Sequence, residues 1–122
     1  MIQRPFAELA GLGIAVPTRV VTNADLETRL DTSDQWIVER TGIRERRICG
    51  PDEFVSTLSR DAANRALAQA GIGASDLDAI VLGTVTPDRL LPSTACDLQP
   101  LIGADKPAAF DLPAPRPAFV SA

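Results

Sequence analysis

Three residues stand out for chemistry: Thr32, Trp36 and Arg40, spaced four apart. On a helix beginning at Thr32 this spacing lines one face with a hydroxyl, a large π surface and a guanidinium. An adenine can lie against the indole and guanidinium planes while Arg40 or its neighbours meet phosphate. Packing is the other reading of such a stripe, with Trp36 in a core and Arg40 solvated. Arg44, Arg46 and Arg47 follow closely and would add positive potential, although Glu39 and Glu45 interleave with them and a salt-bridged surface explains the cluster equally well. The chain contains no histidine, so these residues cannot complete a Ser-His-Asp or Cys-His arrangement. Acid–base work near neutral pH would fall to a perturbed carboxylate, a cysteine or Lys106, the single lysine. Cys49 and Cys96 match no zinc spacing and have no basic residue at a fixed interval, so they read as structural thiols. Gly11-Leu12-Gly13 lacks the third glycine of a phosphate loop and reads as close backbone packing in a strand.

Local patterns say which elements must carry these residues. Residues 7–16 (AELAGLGIAV) read as a buried strand or strand-like entry ending before Pro17. Asn23 is placed to cap a short helix through Leu30, and Thr32 with Gln35 forms a capping-box pattern for a second helix that stops at Gly42. Ile43 to Ile48 reads as an exposed strand or turn. The clearest helix starts at Ser56 or Thr57 and ends at Ala70. Its face of Leu58, Ala62, Ala66 and Ala70 allows close approach of a neighbour, and Gly71 sits where a left-handed cap belongs. Residues 79–86 (AIVLGTVT) form a β-branched run suited to a strand covered on both faces. Pro87-Asp88 turns the chain, and Ser93 or Thr94 opens a helix ending near Gly103, in which Pro100 should produce a kink or an end. Pro107 to Leu112 reads as a further buried strand. Helices between such strands predict βαβ connections and an α/β layered fold.

Composition narrows the classes. The 122 residues are 45% hydrophobic and carry a net charge of −4, which argues against a dedicated nucleic-acid binder. No apolar run approaches a membrane span, and no start resembles a secretory signal. Two cysteines without such a signal point to reduced thiols in a cytoplasmic protein.

Residues 31–47, DTSDQWIVERTGIRERR, make the assignment specific. The run T-S-D-x-W-I-x-x-R-T-G-I-x-x-R-R resembles the signature near the start of β-ketoacyl-acyl-carrier-protein synthase III, a family of thiolase-like condensing enzymes. Gly11 to Pro17, TNADLE at 22–27, TVTPDRLLPSTAC at 84–96 and AAFDL at 108–112 fit in the same register. The resemblance covers essentially the whole chain but well under half of a typical family member. It implies that residues 1–122 are a partial N-terminal domain, an incomplete thiolase-like layered α/β fold whose C-terminal half is absent. It also implies that Thr32, Trp36 and Arg40 hold acyl-coenzyme A, which serves as substrate, with no cofactor and no metal. Leu91 matches an apolar residue reaching across a dimer interface toward the partner's acyl pocket; burial in its own subunit is the alternative. The family's reaction joins acyl-coenzyme A to malonyl-acyl-carrier protein to start fatty-acid or polyketide synthesis. Acyl carrier protein and a second copy in a homodimer are therefore the implied partners, with no nucleic acid and no membrane.

One stretch departs from the family pattern. Such enzymes follow the F-D strand with small residues and a nucleophilic cysteine whose thiolate is stabilised at a helix N-terminus. Here the sequence runs Asp111-Leu112-Pro113-Ala114-Pro115-Arg116-Pro117-Ala118-Phe119, and counting back from Phe119 places Arg116 at the nucleophile. A guanidinium stays protonated and cannot carry an acyl thioester. The expectation is therefore an inactive truncated or degraded copy without a catalytic residue. A non-catalytic coenzyme A-binding or dimerising partner of an intact synthase is the alternative, and acyl transfer to oxygen or nitrogen is a third reading.

Overall fold

A computed structural model describes residues 7–113. The expectations for Arg116 and its flanking Pro115 and Pro117 lie outside the described residues. The chain divides into two compact units, one of Val16–Glu53 and one of the residues up to Ala15 together with those from Phe54 onward.

In the Val16–Glu53 unit, β1 (Arg19–Thr22) pairs antiparallel with β2 (Glu45–Ile48), with Arg19 opposite Ile48 and Thr22 opposite Glu45. Between them lie α1 (Asn23–Glu27) and α2 (Asp34–Thr41). Both helices begin one residue away from the expected cap. Thr22 caps α1, since its Oγ1 accepts from Asp25 N at 3.2 Å while the Asp25 carboxylate accepts from Thr22 N at 2.8 Å. Asn23 is thus the first helical residue, and α1 ends at Glu27 rather than Leu30. Ser33, not Thr32, caps α2 by accepting from Trp36 N at 3.1 Å. Gly42 closes α2 with φ of 71°, a conformation open to glycine without the penalty a Cβ brings. Val21 and Ile37 form the apolar centre of this unit.

The other unit contains α3 (Val55–Ala70), a 3₁₀ turn at Ala74–Asp76, β3 (Ala79–Gly83), α4 (Thr94–Ile102) and β4 (Ala108–Leu112). Strands β3 and β4 run parallel, with Ala79 opposite Ala108 and Gly83 opposite Leu112, so β3-α4-β4 is a βαβ unit. Ile80, Leu82, Ala95, Leu98 and Ala104 make its core. The run expected to be a strand buried on both faces is shorter and alternates: Ile80 and Leu82 are buried, whereas Ala79 and Gly83 are exposed. No residue of β4 is fully buried either. Helix α4 continues through Pro100 to Ile102, because proline removes one backbone donor while Gly103 and Ala104 still close the end on Gln99 O.

Residues 7–16 are extended but form no strand ladder and are not buried. Close packing is nonetheless their role. A Cβ built on Gly11 would lie 2.3 Å from Ala66 O, and one on Gly13 would lie 1.9 Å from Ala62 O. The alanine face of α3 and the glycines of this segment therefore meet backbone to backbone. Arg65 adds a hydrogen bond to Ile14 O, and Gln69 accepts from Leu12 N.

Candidate functional site

Helix α2 presents Trp36 and Arg40 on one face, with the Arg40 Cζ 5.3 Å from the centroid of the Trp36 ring. That separation is a cation–π contact. Trp36 is 53% exposed, which removes the reading of this residue as core. Thr32 lies outside the helix, in the turn before Ser33, yet the fold brings it to the same place. A cavity of about 640 Å³ is lined by Leu26, Leu30, Asp31, Thr32, Ser33, Trp36 and Ile37. Leu26 and Leu30 give it an apolar floor and the indole gives it a wall. The Thr32 Oγ1 is buried and has no hydrogen-bond partner among the described residues. Arg40 is not part of the lining and joins the site through the indole. An apolar slot with one flat aromatic wall, a free hydroxyl and an adjacent guanidinium suits a flat heteroaromatic ring bearing phosphate.

The neighbouring arginines are turned to other work. Arg46 donates from Nη2 to Asn23 Oδ1 at 2.6 Å and from Nη1 to Val21 O at 3.5 Å. Arg47 reaches Pro17 O and Thr18 O at 3.4 Å and lies 3.9 Å from a Glu45 oxygen. Two of the three thus stabilise the β1–β2 pair, the outcome the salt-bridged reading of this cluster allowed.

Leu91 is 86% exposed and Leu90 88%, so Leu91 is not buried against its own unit. Both precede Ser93, whose Oγ accepts from Cys96 N at 3.3 Å and caps α4. Cys96 is half-buried, its Sγ 3.6 Å from Ala109 O, and Cys49 is exposed. Among the described residues no group of three or more His, Cys, Asp and Glu side chains is placed to hold a metal ion.

Three polar residues organise these elements through contacts that sequence patterns did not show. Asn23 is buried and makes side-chain bonds to Asp34, Ile43 and Arg46. Asp111 on β4 accepts from Thr94 N at 2.9 Å and Ala95 N at 2.8 Å, so a strand carboxylate secures the start of α4. Asp88 accepts from Val55 N at 2.7 Å and Ser56 N at 2.9 Å at the start of α3, which explains why that helix begins before the expected Ser56 or Thr57. The Asp88 backbone N–H in turn reaches the buried Thr94 Oγ1 at 3.2 Å. Only the sequence separation, 32 to 33 residues for Asp88, kept these caps from being legible.

No protein-family model matches the chain. Known proteins do. A β-ketoacyl-[acyl-carrier-protein] synthase III of Roseiflexus sp. (strain RS-1) is 55% identical over 115 residues, which is 94% of this chain and 35% of that protein. The synthase III of Xylella fastidiosa (strain Temecula1) is 51% identical over all 122 residues, 38% of its length. This chain is similar to β-ketoacyl-[acyl-carrier-protein] synthase III. It spans about a third of the length of the curated synthase III proteins it matches. Among solved structures, the synthase III of Aquifex aeolicus VF5 superposes with a TM-score of 0.89 at 43% identity, covering 93% of this chain and 36% of that one. The priming β-ketosynthase of the R1128 polyketide biosynthetic pathway gives a TM-score of 0.87 at 37% identity, again covering about a third of that chain (33%). The fold is thus a partial synthase III-type α/β fold, and the signature at residues 31–47 runs from the turn before α2 through that helix into β2.

Proposed function

We propose that this chain supplies the coenzyme A-recognition face of a synthase III-type condensing enzyme, with Thr32, Trp36 and Arg40 holding the nucleotide end of acyl-coenzyme A. The observation that carries the reading is the exposed Trp36–Arg40 pair beside a cavity into which the fold also brings Thr32. An exposed tryptophan on an eight-residue helix costs solubility unless something stacks on it, and an adenine ring is such a partner. The buried, unpartnered Thr32 hydroxyl supplies a hydrogen-bonding group at the same place.

In this reading the reaction served is condensation of acyl-coenzyme A with malonyl-acyl-carrier protein, in the cytoplasm, by a homodimer. These 122 residues do not perform the condensation by themselves: they contain no histidine, and Arg116 stands where an acyl-accepting thiolate is needed. Calorimetry with coenzyme A tests the binding claim. The chain is expected to release heat on titration, and Trp36→Ala to weaken binding by about tenfold or more, a loss in line with removing an aromatic hot spot. Equal affinity in the variant would overturn the assignment. A second reading, a non-catalytic partner that associates with an intact synthase, is favoured by the exposure of Leu90 and Leu91.

A further inference from the structure

We infer that Asn23 is a positioning residue for nucleotide binding: its side chain clamps both ends of α2 and thereby sets the Trp36 wall against the Leu26–Leu30 floor. The inference rests on the coenzyme A reading above. Asn23 is 1% exposed, and its amide is fully engaged. Nδ2 donates to Asp34 Oδ1 at 2.7 Å and to Ile43 O at 2.9 Å, while Oδ1 accepts from Arg46 Nη2 at 2.6 Å. Asp34 is the first residue of α2, and Ile43 follows the Gly42 that ends it. A single side chain therefore holds the beginning and the end of the helix that bears Trp36 and Arg40. The backbone N–H of Asn23 also donates to Arg44 O at 3.3 Å, fixing the same turn.

Beyond a hydrogen bond from Asp34 N to the Glu27 carboxylate, helix α2 has little else to locate it. It is eight residues long, too short to be stable alone, and Ile37 is its one buried residue. With one apolar anchor, a helix can roll or slide at small cost in buried area, and a directional polar clamp removes that freedom. Asn23 itself begins α1, which contributes Leu26, and the following turn contributes Leu30. Floor and wall of the cavity are thus tied through one amide. Function follows from geometry here, since Asn23 does not line the cavity and acts through Trp36.

A donor–acceptor swap tests the clamp. Asn23→Asp sets two carboxylates against each other at the position now bridged at 2.7 Å, and adding Asp34→Asn restores one donor and one acceptor there. Two readouts are taken on the 122-residue chain: the Kd for coenzyme A by calorimetry, and the ¹H–¹⁵N resonance of the indole of Trp36, the single tryptophan. Asn23→Asp is expected to weaken binding about tenfold and to move the indole resonance, and the double variant to recover part of that loss, because it restores the Asp34 contact but leaves Ile43 O without its donor. Gly13→Ala, which lowers stability without touching the clamp, is expected to leave both readouts unchanged. The inference is overturned if Asn23→Asp leaves Kd and indole unchanged, if Asp34→Asn gives no rescue, or if neither the single nor the double variant folds. If the unaltered chain binds no coenzyme A while the indole still follows the swap, the clamp stands and the coenzyme A assignment fails.

Discussion

Replacing Asp88 with alanine removes a helix cap that α3 does not carry in its own sequence. The residue before α3 is Phe54, whose side chain offers no acceptor, and the exposed N–H groups of Val55 and Ser56 are met by the Asp88 carboxylate. Losing an N-cap costs about 1 kcal/mol, and a carboxylate at the positive end of a helix adds a few tenths. Asp88 is exposed, so solvent screening keeps the total at about 1 kcal/mol near neutral pH. For a chain of this size that is a fall in Tm of roughly 4 °C. Burial by itself would raise the Asp88 pKa, but hydrogen bonds from Ser56 and Val55 outweigh it and hold the carboxyl below the ordinary aspartate value. A depressed folded-state pKa stabilises the protein above the unfolded value, and that contribution is lost as pH falls through the folded one. The wild-type and Asp88→Ala curves, followed by circular dichroism at 222 nm, should therefore differ by about 1 kcal/mol near pH 7 and converge near pH 2. A difference of the same size at both pH values, or none at neutral pH, would refute a carboxylate cap.

Three further outcomes follow from packing and exposure. Gly13→Ala drives a Cβ to 1.9 Å from Ala62 O, a backbone atom that cannot rotate away, so a loss of about 1–3 kcal/mol is expected in chemical denaturation. Gly50→Ala, whose new Cβ meets nothing closer than Glu53 Oε2 at 3.5 Å, should be neutral or gain a few tenths of a kcal/mol by restricting the unfolded chain. Leu91→Asp should change stability by less than about 0.5 kcal/mol, because the side chain is 86% exposed. In sedimentation with an intact synthase III it should abolish association, and an unchanged assembly would remove the partner reading.

Much of this protein follows from its order of residues alone. The four-residue repeat of Leu58, Ala62, Ala66 and Ala70 and the glycines at 42, 71 and 103 mark helices and their left-handed ends, because periodicity and positive φ are local properties. The signature at residues 31–47 likewise identified the relatives and grouped Thr32, Trp36 and Arg40. Tertiary structure decided what no local pattern carries. It put Thr32 beside Trp36 through a turn rather than a shared helix, left Trp36 exposed, and turned Asn23 from an expected cap into a buried clamp. It also secured the starts of α3 and α4 with the carboxylates of Asp88 and Asp111, which accept from N–H groups 32 to 33 and 16 to 17 residues away. The physical reason is common to all of these. A helix end or a buried amide requires a partner within about 3 Å, but not a particular place in the chain for that partner to come from.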